Sequence, residues 1–169
     1  IHHSLSPTIH RYWLEQEGVA GWYQRIALPP KNLAQGLAAL RLTGFSGVNV
    51  TIPHKEKIIP LLDEVTPLAQ RIGAVNMVSF DENGHMQGDN SDYWGFWQPL
   101  AQRDWQTTAR DHPIILLGAG GAARAVLAAL GNYHFSHYKN SAPLYLVNRN
   151  LQRAQALAAE FSCEYMHIE

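Results

Sequence analysis

The sequence predicts an α/β protein made of two α/β units in tandem, and three observations predict it. From residue 113 onward, apolar runs alternate with Ala/Leu-rich helical stretches: PIILL, GAGGAARAVLAALG, LYLVNR, NLQRAQALAAEF and CEYMHIE. That β-α-β-α-β order implies a parallel sheet with right-handed crossovers. Upstream, helical periods mix with short strands and with the hairpin turn DENG, which describes a second sheet-and-helix unit. Between the two lies WQTTARDH, a polar stretch that reads as a connection. The expected limits are 1–104 for the first unit, 105–112 for the linker and 113–169 for the second.

Taken in order, SPTIHRYWLEQEG reads as a helix, with Ser6 as its cap, Pro7 in its first turn and Gly18 at its end. WYQRIAL (22–28) reads as a strand, and KNLAQGLAALRLTGF as a helix closing near Gly44. Val48, Val50 and Ile52 alternate with Asn49 and Thr51 in a half-buried strand over 47–52. Pro53 ends it, because proline gives no N–H to a ladder. KEKIIPLLDEVTPLAQRIG reads as two short helical pieces interrupted by Pro60 and Pro67. AVNMVSF and HMQGDN flank the hairpin turn, and SDYWGFWQPLAQRD is helical in period with Ser91 as a cap. By that spacing Tyr93, Trp94, Phe96 and Trp97 belong to the core rather than to a stacking platform. In the second unit NYHFSHYKNSAP (132–143) reads as a loop.

The bulk numbers exclude several classes. With 169 residues, 46% hydrophobic and 16% charged, the chain is globular rather than disordered. A net charge of −1 gives no electrostatic case for nucleic acid or a membrane surface. A lone cysteine, Cys163, cannot close an internal disulfide, so a reducing, cytoplasmic setting is expected. No apolar run approaches the roughly 20 residues of a membrane span, and the first residues do not read as a signal peptide. The nine histidines are scattered without metal-ligand spacing, so no metal is expected.

The second unit carries the first chemical signal. Gly118, Gly120 and Ala123 fit G-x-G-x-x-[G/A] directly after a strand and at the start of a helix. The first glycine permits the tight turn, the second lets backbone approach a pyrophosphate, and the alanine lets helix pack on strand. Gly118, Ala119, Gly120, Gly121 and Ala122 thus form a candidate diphosphate cradle at a helix N-terminus. This is the Rossmann-type pattern of a nucleotide-binding domain. At the end of its second strand, NAD sites place a carboxylate for the ribose. Here the strand ends Leu146-Val147-Asn148-Arg149, with Asn150 and Arg153 following. Two guanidiniums and no carboxylate favour the 2′-phosphate of NADP.

The first unit carries the second signal. Three of only four lysines in the chain fall in residues 31–57, and two of them, Lys55 and Lys57, follow Pro53 at the end of an apolar strand. With HSLSPTIH, GVNVTIPHK, GAVNMV, GDNSDYWGF, LLGAGGAARAV and NRNLQRA in this order, the chain closely resembles the shikimate dehydrogenase family. The resemblance runs through nearly the whole chain. It implies NADP-dependent, reversible reduction of 3-dehydroshikimate to shikimate, in the pathway to chorismate and the aromatic amino acids. It implies that Ser4 and Ser6 hydrogen-bond the substrate carboxylate and that Thr51, Asn76 and Asp92 line the polyol pocket. It implies that Lys55 is the catalytic lysine, working beside Asp92, and that residues 148–153 hold the adenosine 2′-phosphate.

The chemistry agrees with those residue types. A carboxylate and three hydroxyls ask for short neutral hydrogen-bonders, which Ser, Thr and Asn are. Reducing a ketone puts negative charge on oxygen, and a cation or proton donor there stabilises the transition state. Sequence leaves open which of Lys55 and Asp92 holds the transferred proton. Relative to the family pattern, a leading strand and roughly a hundred C-terminal residues are missing, so a fragment is expected. Two alternatives stand beside the main reading: a quinate/shikimate enzyme using NAD, and a ligand-binding relative without turnover. The expected partner is a small molecule, and the expected state a monomer or homodimer.

Overall fold

A computed structural model describes residue 1 and residues 3–103, 112–137 and 143–168. The first unit opens with helix α1 (Ser6–Gln16), a 3-10 turn at Pro30–Asn32 and helix α2 (Leu33–Leu42). Strand β1 (Gly47–Asn49), a 3-10 turn at Ile59–Leu61, strand β2 (Glu64–Val65) and helix α3 (Pro67–Ile72) follow. The hairpin of β3 (Met77–Phe80) and β4 (Met86–Asp89) leads into helix α4 (Asp92–Ala101). The strands form a four-stranded sheet in the order β1-β3-β4-β2, antiparallel except for the parallel β2–β4 pair. Its core gathers Leu33, Leu37, Val50, Ile58, Val75 and Val78.

The second unit runs β5 (Ile114–Leu117), α5 (Gly121–His137), β6 (Leu144–Asn148), α6 (Leu151–Phe161) and β7 (Glu164–His167). Its three strands are parallel, in the order β5-β6-β7. This is the α/β architecture expected of the sequence. Alternation along β5 sends Ile114 and Leu116 into a core with Leu127, Leu144, Leu146 and Leu157, while Ile115 and Leu117 are exposed. A third cluster joins the units: Ile72, Ala74 and Tyr93 pack with Ala125, Ala128 and Ala129 of α5. The alanines let α4 approach α5 closely. Of the four aromatics of α4, Tyr93, Phe96 and Trp97 pack there, whereas Trp94 is exposed, with its ring edge-on to Tyr93.

Several expectations are corrected. Residues 22–28 form no strand: β1 ends the sheet with β3 as its one neighbour among the described strands, and this segment adds no ladder to the open edge. It is held by side chains instead, with Tyr23 Oη donating to Asn49 Oδ1 at 3.1 Å and the His54 ring bonded to Leu28 O at 2.8 Å. Strand β1 stops at Asn49, three residues early, although Val50 N–H still reaches Asn76 O at 2.7 Å. The Ile52–Pro53 peptide bond is cis. Residues 55–73 hold the two short helical pieces expected, the 3-10 turn and α3, but with the two-residue strand β2 between them. Ser6 does not cap α1: the N-cap is Leu5, without a side-chain bond, and the Ser6 N–H instead donates to Ser4 Oγ at 3.2 Å. Ser91 is the N-cap of α4 by position, but Asn90 Oδ1 receives the Tyr93 N–H at 3.3 Å. The loop expected over 132–143 begins as helix, since α5 continues to His137. Most of the expected linker, 105–111, lies outside the described residues.

Candidate functional site

Two groups of expected residues come together, side by side along the chain. The first is a cavity of about 630 Å³ whose walls set Ser4, Ser6, Tyr23, Asn49, Thr51 and His54 among apolar side chains such as Leu33, Leu37, Phe45 and Ile58; Lys55, Asn76 and Asp92 do not line it. Ser4 Oγ donates to Ser6 Oγ at 3.1 Å, so the two hydroxyls form one polar spot at the start of α1. Burial pushes the Tyr23 phenol up, and a hydrogen bond with Ser6 opposes it in part. The phenol therefore stays protonated near neutral pH and serves as a donor.

The second group is the lysine cluster. The His54 N–H closes a turn on Thr51 O at 2.9 Å, and the Lys55 carbonyl accepts from Val75 N–H at 2.8 Å. Those bonds fix the backbone on both sides of the lysine. Lys55 Nζ then donates to Asp92 Oδ2 at 2.5 Å, with the side chains 13% and 30% exposed. Asn76, buried just before β3, donates from Nδ2 to Asp92 Oδ1 at 2.8 Å and to Ser91 Oγ at 3.0 Å. In return Asn76 Oδ1 accepts from Ser91 N–H at 2.9 Å. Both oxygens of Asp92 are thus occupied, and Nζ of Lys55, which carries three donors, spends one of them on Asp92. Asp92 sits in the first turn of α4, where the helix dipole favours a carboxylate.

The glycine turn lies against this cluster. Gly118 has φ +104, a conformation open to glycine. A Cβ at Gly118 or Gly120 would meet no atom within 4 Å, so the space before the turn is free for a ligand. At Gly121 a Cβ would stand 3.1 Å from Cβ and Cδ of Lys55. The lysine stem therefore packs on the N-terminus of α5, where the first backbone N–H groups have no acceptor within the helix. Strand β6 ends at Asn148, whose Nδ2 donates to Asn150 O at 3.0 Å. Asn150 is the N-cap of α6, its Oδ1 accepting the Arg153 N–H at 2.9 Å. Arg149 is exposed, and its guanidinium has no partner among the described residues. Arg153 is differently placed: Nε donates to Ala119 O at 2.6 Å and Nη2 pairs with Glu56. These residues fit a diphosphate and a ribose phosphate. Among the described residues no cluster of three or more His, Cys, Asp or Glu side chains could hold a metal ion, and no helix is long and apolar enough to cross a membrane.

Comparison with known proteins follows the same lines. Residues 1–78 match the model of the shikimate dehydrogenase substrate binding domain. The NADP(+) shikimate dehydrogenase of Paramagnetospirillum magneticum is 43% identical over 162 residues, covering 95% of this chain and 56% of that protein. Over most of its length the chain is thus similar to NADP(+) shikimate dehydrogenases. Among solved structures, the shikimate dehydrogenase of Aquifex aeolicus superposes with a TM-score of 0.82 at 37% identity, covering 98% of this chain and 58% of that one. That of Thermus thermophilus in complex with NADP(H) and shikimate gives 0.77 at 38% identity, covering 98% and 59%. The chain thus spans just over half the length of the relatives it matches.

The sequence places Lys55 beside Asp92 and groups Asn76 with Asp92 through the family resemblance, and the structure brings all three together. The sequence offers Ser91 only as a helix cap and gives no role to Asn90, Tyr23, His54 or Glu56. Asn90 was legible in principle, since it stands at the start of a helix where Asn caps. Tyr23 and Glu56 act through contacts 26 and 97 residues away in sequence, which no local pattern carries.

Proposed function

We propose that the complete protein is an NADP-dependent shikimate dehydrogenase that interconverts 3-dehydroshikimate and shikimate. The observation that carries this is the position of Lys55. Its ammonium is tied to Asp92, Asp92 is tied to Asn76, and its stem lies on Gly121 of the nucleotide turn. A proton donor held by the first unit and lying against the glycine turn of the second is what ketone reduction by a bound nucleotide requires. Residues 1–104 would form the substrate-binding unit and residues 113–169 the NADP-binding unit, joined through 105–112.

NADPH, when bound, supplies the hydride. Gly118, Ala119, Gly120, Gly121 and Ala122 would hold its diphosphate on the free N–H groups of α5. Asn148, Arg149, Asn150 and Arg153 would hold the adenosine 2′-phosphate. Ser4 and Ser6 would receive the substrate carboxylate, with Thr51, Asn76 and Asp92 bonding its hydroxyls. Lys55 Nζ would donate to the carbonyl oxygen as negative charge develops there, and Asp92 would keep the ammonium aimed. Asn76 would stop Asp92 from rotating away. A cytoplasmic setting and a monomer or homodimer belong to the same proposal; the single cysteine suits a reducing compartment.

The test is turnover by the complete protein with four substrate pairs: shikimate or quinate, each with NADP or NAD. The proposal expects the highest kcat/KM for shikimate with NADP. A preference for quinate with NAD would move the protein to the other branch of the family. Ligand binding without turnover would make it a non-catalytic relative.

A further inference from the structure

Arg153 stands at the point where a nucleotide's ribose phosphate is expected, yet the structure has it already engaged by a carboxylate. Its Nε donates to Ala119 O at 2.6 Å, which holds the guanidinium beside the glycine turn, and its Nη2 pairs with Glu56. Glu56 belongs to the other unit and directly follows Lys55. The two side chains are 50% and 41% exposed, so an anion from solution can reach the pair. With Nε on Ala119 O, a phosphate is left the terminal Nη edge of the guanidinium, and Glu56 already sits on Nη2 there, so the two compete at that edge. Arg149, by contrast, has no carboxylate partner among the described residues.

We infer that Glu56 is an intramolecular competitor for the nucleotide 2′-phosphate: it occupies Arg153 in the free protein and sets how strongly the site prefers a phosphorylated ribose. The inference rests on the proposed use of NADP. A ligand without the 2′-phosphate leaves the pair intact and gains nothing from its loss. A ligand with the phosphate must displace Glu56 and then meets a carboxylate beside it. Both effects weaken phosphorylated ligands alone. The backbone at Lys55 is held by the Val75 N–H at 2.8 Å, so the exchange need move only the Glu56 side chain.

Exposed ion pairs are individually weak, so the expected change is modest. Neutralising Glu56 should tighten a 2′-phosphorylated ligand by about two- to tenfold, from the range measured for such pairs together with the removed repulsion. The experiment is calorimetric titration of the complete protein with 2′,5′-ADP and with 5′-AMP, at low salt, in the parent, Glu56→Gln, Arg153→Gln and the double variant. In Glu56→Gln, 2′,5′-ADP should bind more tightly and 5′-AMP should bind as before. In the Arg153→Gln background the same change at Glu56 should have a much smaller effect, which isolates the pair. Raising the salt should shrink the gain. Thermal melts of the variants confirm folding; the isosteric amide at an exposed position is expected to keep it. Unchanged or weaker 2′,5′-ADP binding in Glu56→Gln, with the parent still preferring 2′,5′-ADP over 5′-AMP, overturns the inference alone. A parent that shows no such preference overturns the NADP reading and the inference with it.

Discussion

Replacing Asn76 by alanine tests how the lysine cluster is held. The change removes the bond from Nδ2 to Asp92 at 2.8 Å, the bond to Ser91 Oγ at 3.0 Å and the acceptor of Ser91 N–H at 2.9 Å. A neutral bond contributes about 1 kcal/mol and a bond to a carboxylate about 1.5 kcal/mol or more, so the sum is about 3.5 kcal/mol. Ser91 is exposed, and water can recover part of what it loses. A net destabilisation of about 2–3 kcal/mol is therefore expected. The kinetic effect follows from geometry. With Oδ1 released, Asp92 can rotate and Lys55 loses its fixed partner, and a displacement of about 1 Å at a reacting group costs on the order of 10²-fold in rate. Urea denaturation should show the loss of stability, and steady-state kinetics on the complete protein should show kcat falling more than KM rises. A denaturation midpoint equal to the parent's, together with kcat within about twofold, would refute the claim that Asn76 orders the site.

Two further outcomes are expected. Arg149→Asp replaces a free guanidinium by a carboxylate; NADP should lose at least about tenfold in kcat/KM, from a charge-assisted bond of about 1.5–3 kcal/mol, while NAD loses little. An unchanged NADP/NAD ratio would return Arg149 to ordinary surface charge. Gly73→Ala forces a side chain onto φ +69 and into the Arg124 guanidinium, which donates to Ile72 O at 2.5 Å and pairs with Glu160. It should lower stability by at least about 1–2 kcal/mol, visible as a fall in Tm; an unchanged Tm would mean that the Gly73 turn and the Arg124–Ile72 contact between the units contribute no stability.

The second unit was legible almost strand by strand, because each strand is a short run of strand-forming residues between helix signals, although β5 buries one face only and β7 is exposed throughout. Only the reach of α5 was misjudged: Asn132 and Tyr133 look like a loop opening, yet the helix runs on to His137. The first unit was less legible. Trp22 to Leu28 has the composition of a strand, but composition supplies no ladder partner, and the segment is held by side-chain bonds from Tyr23 and His54 instead. Ser6 has the identity of a helix cap, yet it lies one residue inside the helix. Of the site, the residue types were readable because each has an isolated chemical reason. Their bonding was not. Asn76 and Asp92 are sixteen residues apart, Lys55 and Asp92 thirty-seven, and only the sheet and α4 bring them within hydrogen-bond distance. Arg153 shows the converse: its sequence position suits a phosphate, while its contact with Glu56 depends on how the two units meet.

The central claim is that Lys55 stabilises charge on the carbonyl oxygen during hydride transfer, and Lys55→Ala in the complete protein tests it most directly. Lys55 lies on the wall shared with Gly121 and spends one donor on Asp92, so its loss removes a transition-state interaction more than a binding one. Shikimate oxidation with NADP, followed by steady-state kinetics, should show kcat lowered by roughly 10²- to 10⁴-fold with a much smaller change in KM. A near-normal kcat would contradict the account and make Lys55 a structural partner of Asp92 rather than the group that acts on the substrate.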